Sequence, residues 1–80
     1  MVFEYYPEND MIYIRLADRL SIESEEVAPR IVLDFDAQHR VVGIEIEDAH
    51  LVIDLSRLEV KGFPLVQRIL MEQAPASAGP

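Results

Sequence analysis

The feature that most constrains this chain is a strict alternation of apolar and polar residues on both sides of two turns. Alternation with a period of two is the pattern of a half-buried strand. A four-residue loop at positions 7–10 places Phe3 opposite Ile14 and Tyr5 opposite Ile12, so one face is apolar. A slip of one residue would pair core positions with solvent positions. Residues 2–6 and 11–16 therefore predict a hairpin of defined register.

A second hairpin is predicted by the same test. Its strands cover about residues 30–36 and 41–47, with the turn around Gln38 and His39. An even loop places Asp34 opposite Gly43 on the polar face. The opposite face is apolar, and its predicted facing pairs are Ile31 with Ile46, Leu33 with Ile44 and Phe35 with Val42.

The rest of the chain is less regular. Residues 21–28 fit an extended edge segment, because Pro29 excludes a central strand and the glutamates protect an edge. Residues 50–60 fit a helix and a strand equally well. Pro64 suits the first turn of a helix over about 64–73. The predicted fold is therefore α+β, a small antiparallel sheet with a C-terminal helix, in one globular domain (1–73) followed by a disordered tail (74–80).

Composition narrows the classes of function. Fifteen acidic and seven basic side chains give a net charge of −8, so no basic stripe is present to bind nucleic acid or anionic lipid. No apolar run is long enough to span a membrane and no secretory signal is visible, so a cytoplasmic protein is expected. Eighty residues without cysteine make a thin core, which favours a homodimer. The acidic surplus favours a basic protein partner.

Four segments resemble, in order and spacing, the small prokaryotic domains called "domain of unknown function 2283". The resemblance covers about residues 4–49 and departs at Arg30, where that family usually has glycine, and again from His50 onward. It implies a compact antiparallel β domain without established activity. Some members are encoded beside small RelE-like toxins, so it also implies an antitoxin-like role. The segments are residues 5–16, 24–29, 31–36 and 42–46.

No pattern of catalytic or cofactor-binding residues emerges from the sequence. Glu45, Glu47 and His50 are of metal-binding type, but an outward hairpin face offers no enclosing shell, so we predict no metal site and no cofactor. No nucleophile elbow, phosphate loop or paired-histidine helix is present, and the chain is not expected to be an enzyme.

The candidate functional residues are therefore interface residues. Tyr6 and Tyr13 lie on the face opposite the predicted core, where tyrosines make good interface anchors or simply pack across strands. The segment around Leu65, Ile69 and Leu70 either covers the sheet of its own chain or docks onto another chain. We expect a non-catalytic interaction module, with an antitoxin-like neutraliser of a basic RelE-like toxin as its leading form. The alternative is a structural or regulatory homodimer module with an unrelated partner. A small hydrolase or metal-dependent enzyme is a distant alternative.

Overall fold

The described part of the chain forms one five-stranded antiparallel sheet and one helical turn. A computed structural model describes residues 1–67 and 69. The strand order is β1-β2-β5-β4-β3, so the two predicted hairpins lie side by side, joined by the pairing of β2 with β5. This confirms the predicted α+β class and the hairpin arrangement. The elements are β1 (Val2–Tyr6), β2 (Met11–Arg15), β3 (Glu23–Ala28), β4 (Ile31–Phe35), β5 (Val41–Ile46) and α1 (Ala49–Val52).

The register of the first hairpin is confirmed at every pair. Phe3 faces Ile14 and Tyr5 faces Ile12, and Tyr6 faces Met11 across the loop. The loop ends at Asp10, whose φ of 51° lies in the left-handed region that aspartate tolerates better than most residues. The hydrophobic pattern and the loop length together therefore determined this register.

The second hairpin matches the prediction except at its turn end. Asp34 faces Gly43 as predicted, but Phe35 faces Val41 and not Val42, because the register shifts between Asp34 and Phe35. Such a shift is a β-bulge, in which one strand contributes an extra residue. The even-loop argument assumed a regular ladder and could not detect it. The strands are also slightly shorter than predicted, ending at residues 15, 35 and 46.

The predicted edge segment is confirmed as β3, which pairs only with β4 among the described strands. Pro29 and Arg30 form its connection to β4, and Arg30 has a φ of 71°. Proline followed by a residue at positive φ is the pattern of a type II turn, which favours glycine at the second position. At the position where the resembled family usually has glycine, Arg30 therefore adopts a backbone conformation that glycine favours.

The prediction of a helix over 64–73 is wrong for those of its residues that the structure describes. Residues 64–67 and 69 are not helical, and residues 68 and 70–73 lie outside the described part, as does the predicted tail at 74–80. The proline and the apolar spacing were a weak signal, because ten residues rarely form a helix without packing. The helix α1 instead occupies residues 49–52, and residues 53–60, which fitted both a helix and a strand, form neither.

The buried apolar core is thin. It lies at the centre of the sheet, where α1 packs Ala49 against Ile12 and Ile46. Within the described residues, no helix has the length and apolar character needed to cross a membrane. The apolar side chains that are buried are Ile12, Phe35, Val42, Ile46 and Ala49.

Candidate functional site

One face of the sheet, called here the apolar face, is only partly covered. Residues that face each other across antiparallel strands share a face, and the register places an apolar row across four strands. Ala49 and Val52 cover its middle, but Phe3 at the outer strand remains 57% exposed. The β1 end of this row, at Phe3 and Tyr5, is therefore the part of the apolar face that is open to a partner. The row comprises Phe3, Tyr5, Ile12, Ile14, Ile44, Ile46, Ile31 and Leu33.

A groove lies between the apolar face and the segment after α1. Its sheet wall comes from β1 and β2, and its other wall from residues 53–58. Its volume is about 280 Å³, near the lower limit for small-molecule pockets. Leu58 on its rim is 71% exposed. The groove, called here the apolar groove, suits a few apolar side chains of a partner, and its apolar lining is Phe3, Ile12, Ile14, Ile53, Leu55 and Leu58.

The opposite face carries a polar cluster centred on Asp34, whose exposure is only 5%. The hydroxyl of Ser24 on β3 donates a hydrogen bond of 2.6 Å to the Asp34 carboxylate. Tyr13 lies on the other side, with its ring over Gly43, so that a Cβ added to Gly43 would lie 2.9 Å from the ring carbon Cζ. The absence of a side chain at Gly43 is therefore what allows the tyrosine ring to pack on the sheet.

The cluster shifts two protonation equilibria. Burial raises the pKa of Glu45, and the neighbouring Asp34 carboxylate raises it further. Burial also raises the pKa of the Tyr13 hydroxyl, again with a contribution from Asp34. A second carboxylate nearby disfavours the ionised form of Glu45, in the same direction as burial. Ser24 and Tyr13 flank this pair, and the contacts of the cluster join β3, β4, β5 and β2, which is a structural role.

A second polar contact joins the first turn to α1. The Asp10 carboxylate contacts the His50 ring at Nδ1 and accepts a hydrogen bond of 2.9 Å from the Tyr5 hydroxyl. The Ala49 amide donates to the Asp10 carbonyl oxygen at 2.8 Å. The His50 contact lowers the pKa of Asp10. These bonds hold α1 against the sheet, which is a sufficient structural role for His50.

The buried carboxylate of Asp36 is also structural. It accepts hydrogen bonds of 2.9 Å from the amides of Gln38 and Arg40 and pairs with the side chains of Arg19 and Arg40. These donors, led by the Arg40 amide, lower the pKa of Asp36 to about 2. Asp36 thus closes the turn between β4 and β5. Within residues 1–67 and 69, no three metal-binding side chains converge.

The sequence-predicted interface residues fall into a tyrosine pair on the sheet and a separate segment after α1. Tyr6 is 38% exposed on the polar face and its hydroxyl donates to Glu4, whereas Tyr13 is half-buried over Gly43. Leu65 and Ile69 are exposed but do not line the apolar groove. Leu70 lies outside the described residues. Tyr6 and Tyr13 share one face of neighbouring strands, close enough that, after burial and the hydrogen bond to Glu4, Tyr13 contributes to the raised pKa of Tyr6.

Sequence reasoning missed the apolar groove. Phe3 and Ile14 were assigned to the core, and the segment containing Leu55 and Leu58 had no assigned structure. One signal was available: a single sheet needs a second layer, and the only candidate that the sequence offered was the segment predicted as a helix over 64–73. An apolar face without that layer has to remain open or be covered by another chain.

The fold and this surface define a class: a small single-sheet domain with one open apolar face. Comparison with known proteins identifies the family: the model of a family described as "Protein of unknown function (DUF2283)" matches residues 3–50 of the chain. The chain belongs to this family, as the sequence resemblance indicated. No curated protein and no solved structure showed significant similarity to the chain.

Proposed function

We propose that this protein is a non-catalytic protein-binding module whose apolar groove receives side chains of a basic protein. The observation that carries the proposal is the exposure of large apolar side chains beside a thin core, in a chain of net charge −8. Open apolar patches of this kind mark interaction sites. The acidic surplus steers and orients a cationic partner without needing to enter the groove.

Within this class, we propose an antitoxin-like role against a basic RelE-like toxin. The proposal is supported by membership in the family, by the apolar groove and by the sign of the charge. A cationic toxin surface would be attracted by the acidic protein, and apolar contacts in the groove would then slow dissociation. The partner is expected to be a small basic protein encoded beside this chain.

Co-expression tests the proposal. The neighbouring small basic protein is expected to arrest growth alone and to be harmless when this chain is produced with it. The absence of such a neighbour, or a failure to restore growth, would remove the antitoxin-like role.

A matched pair of substitutions tests the groove. Leu58→Asp places a charge on the rim of the apolar groove, and we expect it to weaken partner binding roughly tenfold or more. Leu20→Asp is the control, because Leu20 is 80% exposed and lies outside the groove. Exposed positions of this kind change folding stability little. Equal binding by both variants would show that the groove is not the contact surface.

A further inference from the structure

The two edges of the sheet are built differently. The β3 edge carries Glu23, Glu25 and Glu26 and is interrupted by a bulge between Glu26 and Ala28. Charges and bulges of this kind prevent an edge strand from pairing with another chain. The chain therefore protects its β3 edge from association.

The β1 edge has none of these devices. Its sequence, Val-Phe-Glu-Tyr-Tyr, contains one charge, and its pairing with β2 is regular along all five residues. Among the described strands, β1 has no neighbour on its outer side. Alternate residues of an edge strand direct their N–H and C=O groups outward, where a further strand can pair with them. Val2, Phe3, Tyr5 and Tyr6 are all substantially exposed beside these groups.

We propose that the β1 edge is a self-association site, at which β1 of a second copy pairs antiparallel to form one ten-stranded sheet. A second copy is the partner that is always present at equal concentration, and a chain with a thin core gains stability from it. A two-fold axis perpendicular to the sheet keeps both apolar faces on the same side. The proposal does not depend on which protein fills the apolar groove.

The available area fits a small but specific interface. An aromatic side chain buries about 150–250 Å² when fully covered. Phe3 and Tyr5 are 57% and 44% exposed, so with Val2 they contribute at most roughly 300 Å² per copy. With the paired backbone, the two copies together approach the total of about 1,000 Å² that a biological interface needs.

The charges and the side-chain alternation of β1 select one register for the pairing of the two copies. Facing side chains must lie on the same side of the sheet, so a symmetric pairing places one residue directly opposite its own copy. That central residue can be Phe3, Glu4 or Tyr5. Centring on Glu4 would place two carboxylates opposite each other, which is destabilising. Centring on Tyr5 would leave only three residues paired before Pro7, which has no N–H to donate. The axis therefore passes beside Phe3, and Val2 faces Glu4 of the second copy.

Two substitutions of Val2 test this register in opposite directions. Val2→Glu places like charges opposite each other twice in the dimer, and Val2→Lys places opposite charges there twice. We expect Val2→Glu to raise the dimer Kd roughly 2- to 30-fold and Val2→Lys to lower it by a similar factor. Within one chain, Val2 faces Arg15. Stability of the folded chain should therefore change in the opposite sense, which separates association from folding.

Sedimentation equilibrium of the purified full chain over a range of concentrations gives the dimer Kd. Cysteine substitution then locates the axis, because the chain contains no cysteine. Phe3→Cys is expected to form a disulfide-linked dimer of twice 9.1 kDa, whereas Glu4→Cys and the β3 control Glu25→Cys are not. A chain that stays monomeric, equal effects of the two Val2 variants, or cross-linking through Glu25→Cys would overturn the proposal. The Val2 variants leave the lining of the apolar groove unchanged, so their effect on the dimer Kd is distinguishable from an effect on partner binding.

Discussion

The packing of Tyr13 over Gly43 leads to a quantitative prediction. In Gly43→Ala, the new methyl group would lie 2.9 Å from Cζ of Tyr13 and closer still to the hydroxyl oxygen, so the ring has to move. Overpacking of this kind costs about 1–3 kcal/mol. Alanine restricts the unfolded chain and returns about 0.4–1 kcal/mol. The net loss is therefore at most about 2.6 kcal/mol and centred at about 1.3 kcal/mol, which corresponds to roughly 5–10 °C in Tm for a domain of this size.

The same substitution in a Tyr13→Ala background should behave differently. With the ring removed, Gly43→Ala no longer clashes, and only the gain of about 0.4–1 kcal/mol from the unfolded chain remains. The double-mutant cycle should therefore give a coupling free energy of roughly 1–3 kcal/mol between the two positions. Tyr13→Phe is the matched control, because it keeps the ring and removes only the hydroxyl beside Asp34.

Urea unfolding of the four proteins at one fixed concentration measures the cycle. The concentration must be constant because self-association would add to the apparent stability. Equal effects of Gly43→Ala with and without the tyrosine ring would refute the reasoning, since the ring could not then lie on the glycine.

Three further predictions follow from the turns and the carboxylates. Arg30→Gly should raise Tm and Arg30→Val should lower it, each by the equivalent of about 1 kcal/mol or less, because position 30 requires a positive φ. Asp36 has a lowered pKa, so its stabilisation is present above pH 3.8 and is lost as the pH falls towards 2; the Tm of Asp36→Asn should approach that of the unmodified protein over this range. The pKa of Glu45 is raised, so its ionised form destabilises the folded chain. Glu45→Gln should therefore raise Tm at pH 7 and have no effect once the pH is low enough to protonate the glutamate.

The sheet could be predicted from the sequence because its signals are local and agree with one another. Alternation and loop length determined all five pairs of the first hairpin, including Tyr5 with Ile12. The bulge beside Phe35 escaped detection because it follows from the turn at Asp36, where a carboxylate organises the backbone through four hydrogen-bond donors. Such a turn is set by side-chain geometry, which a binary apolar pattern does not contain.

The candidate site could not be predicted in the same way, because it depends on which segment covers the sheet. The segment containing Leu55 and Leu58 has no periodic pattern that distinguishes helix from strand. Its position is set by α1, and α1 is held by the contact between Asp10 and His50, forty residues apart. Tertiary contacts over such a separation leave no local trace in the sequence, so the apolar groove emerged only with the fold.

The two walls of the apolar groove have different origins within the chain. The family model matches residues 3–50, which include the sheet wall at Phe3, Ile12 and Ile14 and end at α1. The second wall, at residues 53–58, lies beyond the matched region. Under the proposed function, the sheet is a shared scaffold, and residues such as Leu55 and Leu58 determine which partner the groove accepts. Since discrimination between partners is a difference between affinities, we expect changes in the second wall to alter partner preference without changing the fold.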